Sequence, residues 1–311
     1  MKNLLSIETL DTEDIHKIFQ LTTSLKATRG SHEQPLKGQT WALVFSKSST
    51  RTRVSFEVGI RELGGESLFL SAVDIQLGRG EPIKDTARVL GRMIHGAVIR
   101  TFAQQDVVEF AEYGKIPTIN ALTDDEHPCQ ILTDIFTFGE KTRKTSDVPI
   151  EEIIRGKVIT FVGDAACNVP ISWIFAAARM GFELRLAAPS AYLPSKEIMD
   201  RAEKMKVPGA KFVLTEDLKS AVAGADMLYT DVWVSMGKEA ESAQRLLDLK
   251  DYQVNSDLVA LAKPSALVMH CLPAYRGKEI SEECFEKHAI TIFDQAENRL
   301  HTQKAILSLL K

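Results

Sequence analysis

Residues 48–53, Ser-Ser-Thr-Arg-Thr-Arg, crowd hydroxyls and guanidiniums into one short run. They follow an apolar stretch, Trp41 to Phe45, that reads as a buried strand. They precede Val54, Phe56, Val58 and Ile60, an amphipathic helical spacing closed by Gly64 and Gly65. Ser49 or Thr50 is the expected N-cap. A helix start presents unpaired N–H groups and partial positive charge. With Arg51 and Arg53 beside Ser49, Thr50 and Thr52, such a start suits a dianionic phosphate group. An arbitrary Ser-Thr-Arg is more often a capped helix whose arginine faces water. Here the density of donors directly after a buried strand favours anion binding.

Other candidates sit in similar places. Arg100 ends the apolar run Ala97–Arg100, where a charge is most often merely solvated. His127 and Gln130 lie in Asp-Asp-Glu-His-Pro-Cys-Gln (124–130), at an expected strand-to-helix turn that Pro128 restricts. A lone histidine is usually a surface or satisfied core residue, but this pair is placed to contact a carbonyl and an amide. Asp231 follows an apolar run and reads either as a helix cap or as the holder of a substrate ammonium. Cys271 follows Ala266–His270; a buried cysteine is usually a small hydrophobe, yet next to His270 and cationic groups its thiolate would gain stability. Residues 157–179 read as strand, Gly-Asp turn and helix, but only Gly163 precedes that helix. The G-x-G-x-x-G fingerprint is absent, which weakens a dinucleotide reading.

Taken together, Ser-Ser-Thr-Arg-Thr-Arg (48–53), His-Pro-Cys-Gln (127–130), Asp-Val-Trp-Val-Ser-Met-Gly (231–237) and His-Cys-Leu-Pro (270–273) resemble the aspartate and ornithine carbamoyltransferases. The last three match the ornithine branch in the expected order, and the likeness covers nearly the whole chain. The resemblance implies that Ser49, Thr50, Arg51 and Thr52 hold the phosphate of carbamoyl phosphate. It implies that Arg100 and His127 bind the carbamoyl oxygen, Gln130 the carbamoyl nitrogen and the Leu272 carbonyl its NH₂, while Arg299 also touches the carbamoyl group. Asn168 is matched to the carboxylate end of ornithine, Asp231 to the δ-amine, Ser235 and Met236 to the α-amino end, and Cys271 to orientation of the side chain. Cys167 stands where the family usually has a second Asn, and Pro170-Ile171-Ser172-Trp173 follow in place of its common Gly-Asn-Ser. Gln76, in a loop (76–80) whose glycines and charge predict mobility, matches a residue that reaches a neighbouring subunit's site in a trimer. Neither a metal nor a cofactor is implied. The alternatives are a carbamoyltransferase for a related amine, which Ser-Met-Gly argues against, and a non-catalytic ligand-binding homologue, which the intact polar set argues against.

The elements that must position these groups alternate strand-like and helix-like throughout, which predicts an α/β fold of two domains, each a parallel sheet flanked by helices. Strands are expected near 41–45, 67–70, 97–99 and 117–121, then near 158–162, 183–187, 211–214, 226–230, 266–270 and 290–293. Helices are expected from Asp11 or Thr12, from near Pro82, over Ile131–Phe138 as a bridge, and over Leu300–Leu310. The polar stretch 141–157 breaks the pattern, so domains are expected at 1–140 for carbamoyl phosphate and 141–298 for ornithine, with helix 299–311 returning to the first. The polar clusters each follow a strand, and parallel sheets bind ligands beyond their carboxyl ends. An active site in a cleft between two sheets follows.

Composition bounds the rest. At 44% hydrophobic and 26% charged the chain reads as globular, and 311 residues allow two cores. A net charge of −4 gives no case for nucleic acid or an anionic membrane. The scattered Cys129, Cys167, Cys271 and Cys284 show no disulfide rhythm or metal spacing, and the acidic N-terminal stretch lacks a targeting pattern. A cytoplasmic protein is expected.

Overall fold

The apolar runs become parallel strands, and each polar cluster becomes the loop that leaves one. The computed structural model describes residues 1–71, 80–145 and 147–310. Within it the chain divides into two units, Met1–Thr133 with Glu297–Lys311, and Asp134–Ala296.

The first unit runs α1 (Thr12–Ala27), β1 (Thr40–Phe45), α2 (Arg51–Glu62), β2 (Glu66–Ser71), α3 (Ile83–Leu90), β3 (Gly96–Arg100), α4 (Gln104–Gly114) and β4 (Thr118–Leu122). α5 (Pro128–Thr142) follows and carries the chain into the second unit. Asp11 caps α1 by accepting from the Asp14 amide at 2.7 Å. α2 stops where Gly64 turns to φ +84° and the Gly65 N–H returns to the Ile60 carbonyl at 2.9 Å. Phe56 and Ile60 of α2 are buried as the spacing predicts, whereas Val54 is half exposed. The strands pair in the order β2-β1-β3-β4, all parallel. β1 and β3, interior strands of the sheet, read as unbroken apolar runs.

The second unit continues with α6 (Ile150–Ile154), β5 (Val158–Val162), α7 (Asn168–Met180), β6 (Glu183–Ala187), α8 (Lys196–Lys204), β7 (Lys211–Thr215), α9 (Leu218–Val222) and β8 (Met227–Thr230). α10 (Ser242–Leu249), α11 (Ser256–Val259), β9 (Leu267–His270) and α12 (Glu282–Leu309) complete the chain. Its sheet has the order β7-β6-β5-β8-β9, again all parallel. In each sheet the strand order reverses once, between β1 and β3 and between β5 and β8. At such a reversal successive connections leave toward opposite faces, and the carboxyl ends of the two strands open a crevice. Arg100 ends β3, the other described candidates of the first unit follow β1 and β4 or lie on α12, and those of the second follow β5, β8 and β9.

One expected strand is corrected. Residues 290–293 lie inside α12, a helix of 28 residues that also replaces the shorter helix expected over 300–310. Ile-Thr-Ile-Phe favours a strand by residue type, but only Ile292 is buried, with Ile290 76% and Phe293 53% exposed. Ile292 joins Cys284 and Phe285 in one core at helical spacing, so packing overrides propensity. From Glu297 onward α12 belongs to the first unit. There Gly59 lets α2 come close: a methyl at that position would stand 3.3 Å from Lys304 Cγ and 3.6 Å from Leu300 Cδ1. That approach carries Arg299 to the start of α2.

Under β8 of the second unit lies a buried polar knot. Asp134 is fully buried and accepts from the Tyr229 hydroxyl at 2.7 Å and from the Gln295 amide. Replacing it with Ala would strand two buried donors. Asp134→Ala is expected to lower the unfolding free energy by about 3 kcal/mol in urea titrations; a loss below about 1 kcal/mol would contradict this role.

Candidate active site

In the first unit the donors of three loops and one helix converge. Thr50 occupies the position before α2 but makes no side-chain cap; the Ser49 hydroxyl instead accepts from the Thr52 amide at 3.3 Å. Thr52 is buried, and its hydroxyl accepts from Arg299 Nη2 at 2.5 Å. Arg100, at the end of β3, is 4% exposed. Burial, then the neighbouring Arg299 and Arg51, pulls its pKa down to about 10. Neither Arg51 nor Arg100 has an acidic partner among the described residues, and the Nε of each is buried without a hydrogen-bond partner there. An unneutralised buried cation such as Arg100 costs several kcal/mol, and a bound anion would offset that cost.

His127 stands directly before α5 and its carbonyl accepts from the amides of Gln130 and Ile131. Both His127 and Gln130 are buried. Burial, then Arg299 and Arg100, holds the His127 pKa well below its ordinary value, so the imidazole is neutral at pH 7. Cys129 is a core residue: its thiol points to the Asn120 carbonyl at 3.5 Å, and burial pushes its pKa up to about 12.

The second unit presents the opposite charge. Asp231 is 9% exposed at the end of β8; its Oδ1 accepts from the Val232 amide at 2.7 Å and from Cys271 Sγ at 2.8 Å. Burial pushes the Asp231 pKa up, against those two hydrogen bonds. The expectation of a stabilised Cys271 thiolate is corrected. Burial and then Asp231 raise the thiol pKa well above its ordinary value, so Cys271 is a protonated donor. His270 does not help it, because its ring is committed elsewhere. Nδ1 accepts from the Leu272 amide at 2.8 Å, and Nε2 faces Glu279 Oε1 at 3.1 Å. This assigns the Nε2–H tautomer. The ligand atoms of Asp231, His270 and Cys271 lie within 4.8 Å of one another. Their mutual and local hydrogen bonds account for the cluster, and with both ring nitrogens in use it offers no open metal ligand set. Leu272 turns at φ +59°, in the left-handed region.

Two family descriptions match this chain. "Aspartate/ornithine carbamoyltransferase, carbamoyl-P binding domain" covers residues 2–140, and the corresponding "Asp/Orn binding domain" covers 155–310. The chain belongs to the aspartate/ornithine carbamoyltransferase family. Within that family, a relative in Akkermansia muciniphila named ornithine carbamoyltransferase is 54% identical, over 100% of this chain and 98% of its own. One of the same name in a Sulfurovum species is 48% identical over 99% and 98%. The crystal structure of the anabolic ornithine carbamoyltransferase of Campylobacter jejuni matches with a TM-score of 0.92 and 41% identity, covering 100% of this chain and 99% of its own. The ornithine carbamoyltransferase of Pyrococcus furiosus matches with 0.91 and 41%, covering 99% and 96%.

The fold thus brings Ser49, Thr50, Arg51, Thr52, Arg100, His127, Gln130 and Arg299 into the carbamoyltransferase's first unit, and Asn168, Asp231, Ser235, Met236, Cys271 and Leu272 into its second. Asn168 is the first residue of α7, with Cys167 before it making no side-chain cap. Ser235 is partly exposed and Met236 is 48% exposed, on the loop after β8. Gln76 lies outside the described residues. Sequence reasoning missed Glu279, which carries no motif and is fully buried against His270. It also missed Asp164 and Arg245, a buried pair contributed by the β5–α7 turn and α10. Asp164 follows a strand end and could have been found by the rule that found the others; Arg245 sits mid-helix with no such signal.

If Arg51 and Arg100 await an anion, inorganic phosphate should raise the melting temperature. The stabilisation is about 2.7 kcal/mol at a hundred times the dissociation constant. Arg51→Ala should lose most of it in the same thermal scan, and an equal shift in both proteins would contradict the site. A pH effect also follows. The unfolded chain binds a proton at His127 and His301 near pH 6.5, while the folded chain resists: His127 stays well below, and His301, chiefly by burial, titrates at about 4. The unfolded state therefore gains protons first, and stability should fall as pH drops below about 6.5, by about 1.4 kcal/mol per pH unit per histidine. Urea titrations at pH 7 and 5 check this, with a smaller fall expected for His127→Asn.

Proposed function

We propose that the protein is an ornithine carbamoyltransferase, transferring the carbamoyl group of carbamoyl phosphate to the δ-amine of L-ornithine to give L-citrulline and phosphate. The observation that carries this reading is the pairing of unneutralised guanidiniums in one unit with a buried carboxylate–thiol pair in the other. One substrate is an anion; the other presents an amine. In this reading residues 1–140, with helix 299–311, bind carbamoyl phosphate, and 141–298 bind ornithine.

Ser49, Thr50, Arg51 and Thr52 hold the phosphate. Thr52, Arg100 and His127 stabilise the oxyanion as the tetrahedral state forms, and one such donor contributes about 3 kcal/mol. A neutral His127 donates a hydrogen bond without adding a fourth cation to Arg51, Arg100 and Arg299. Gln130, the Leu272 carbonyl and Arg299 orient the carbamoyl group, with Gln76 reaching in from a neighbouring subunit. Asn168 receives the α-carboxylate, and Ser235 and Met236 the α-amino end.

The nucleophile is the neutral δ-amine. Asp231 and Cys271 orient it, the Asp231 carboxylate, made more basic by burial, accepting a hydrogen bond from the amine N–H. The amine nitrogen attacks the carbonyl carbon, the bond from that carbon to the phosphate oxygen breaks, and phosphate leaves with the proton. Closure of the 231–237 loop would exclude water and align the reacting atoms.

The same reading makes the protein a cytoplasmic homotrimer of arginine biosynthesis. Four free cysteines suit a reducing compartment. No helix among the described residues is long and apolar enough to cross a membrane. Exposed Val54, Leu68, Val89 and Met93 in the first unit supply apolar area that subunit contact would cover.

The test is citrulline formation with ornithine, putrescine, acetylornithine and aspartate offered in parallel. Ornithine is expected to be strongly preferred, and Arg51→Ala to cut turnover by about 10²-fold or more while remaining folded. Preference for another amine would overturn the acceptor half of the reading, and wild-type-like kinetics in Arg51→Ala the phosphate half.

A further inference from the structure

Arg245 lies on α10 and is 6% exposed, and each of its donor groups is engaged. Nε donates to the Trp233 carbonyl at 2.7 Å, Nη2 to Asp164 Oδ2, and Nη1 to Glu241 at 3.2 Å. Its guanidinium also lies over the Tyr192 ring, 5.0 Å from the centroid. Asp164 is equally buried, and its second oxygen accepts from the Ala166 amide at 3.0 Å. One ion pair therefore joins the turn that leads into Asn168 to the root of the loop 231–237. Those are the segments assigned above to the α-carboxylate and to the amino groups of the amino acid.

The loop is fixed at its root and open at its tip. Trp233 is 5% exposed, and its indole lies against Gly163, whose φ of +125° suits glycine. Met236, three residues on, is 48% exposed. A buried ion pair is weak evidence for stability, since apolar residues of similar volume often do as well. Geometry is what the planar fork adds: one guanidinium serves a backbone carbonyl and a carboxylate at fixed angles, which a lysine ammonium does not.

We propose that Arg245, held by Asp164, is a positioning residue that sets the spacing between the Asn168 turn and the 231–237 loop, and so determines affinity for the acceptor amino acid. This rests on the reading of those two segments as the ornithine site. Neither residue touches the reacting atoms; they act through the Trp233 carbonyl and the Ala166 amide.

The experiment is steady-state kinetics of the wild type, Arg245→Lys and Asp164→Asn, with circular dichroism to confirm folding. Asp164→Asn keeps size and one hydrogen-bonding oxygen, so it carries the test if the lysine variant folds poorly. The KM for ornithine should rise about tenfold or more in both variants, since a displacement of about 1 Å can cost 10²-fold. The KM for carbamoyl phosphate should stay within about twofold. An unchanged KM for ornithine in a folded variant, or parallel rises in both KM values, would overturn the positioning role while leaving the enzyme reading intact. A wild type that makes no citrulline would overturn that reading, and the role built on it with it.

Discussion

Arg51 and Arg100, drawn together with no acidic partner among the described residues, are the constraint around which the first unit is built. Arg100 is buried and its pKa depressed, with Arg51 and Arg299 adding repulsion to burial. Such an arrangement opposes folding, and it persists because rigid elements hold it. β3 ends in Arg100, α2 begins at Arg51, and α12 is kept close to α2 by Gly59 so that Arg299 meets Thr52. In the proposed reading the group that relieves this strain is the phosphate of the substrate. An anion entering there gains charge-assisted hydrogen bonds and cancels a repulsion already present.

The second unit solves the opposite problem with the same architecture. Its strand ends carry Asp164, Asp231 and the His270–Cys271 pair, and the buried Asp134 lies beneath. Here low dielectric raises the pKa of Asp231 and keeps Cys271 protonated. An amine is recognised by acceptors, and a carboxylate made more basic by burial prefers a cation or a proton donor beside it. Two doubly wound sheets of like topology thus become cationic in one case and acidic in the other through a few residues at the points where strand order reverses.

That division was legible in the sequence because parallel sheets place loop chemistry at strand ends. Arg51, Arg100, His127, Asp231 and Cys271 each close or follow an apolar run, and each proved to end or follow a strand. Legibility failed where tertiary context decides. Ile290–Phe293 carries strand-forming residues yet forms part of α12, because burial of Ile292 with Phe285 is available only at helical spacing. The Cys271 thiol was misjudged for a similar reason. Adjacency to His270 in sequence does not orient the ring, and the ring turned to Glu279 and the Leu272 amide, leaving Asp231 as the thiol's neighbour. Arg245 was invisible because its partners come from a turn and a loop that only the fold brings together.

The central claim is that the cationic and acidic half-sites serve one transfer. Calorimetry with a bisubstrate analogue, a phosphonate joined through an amide to the δ-nitrogen of ornithine, tests it most directly. A joined ligand should bind far more tightly than inorganic phosphate or ornithine alone, because the second contact becomes intramolecular. Both Arg51→Ala and Asp231→Asn should then weaken it by about 10²-fold or more. An analogue that binds no better than its separate halves, or that responds to only one of the two substitutions, would contradict the account.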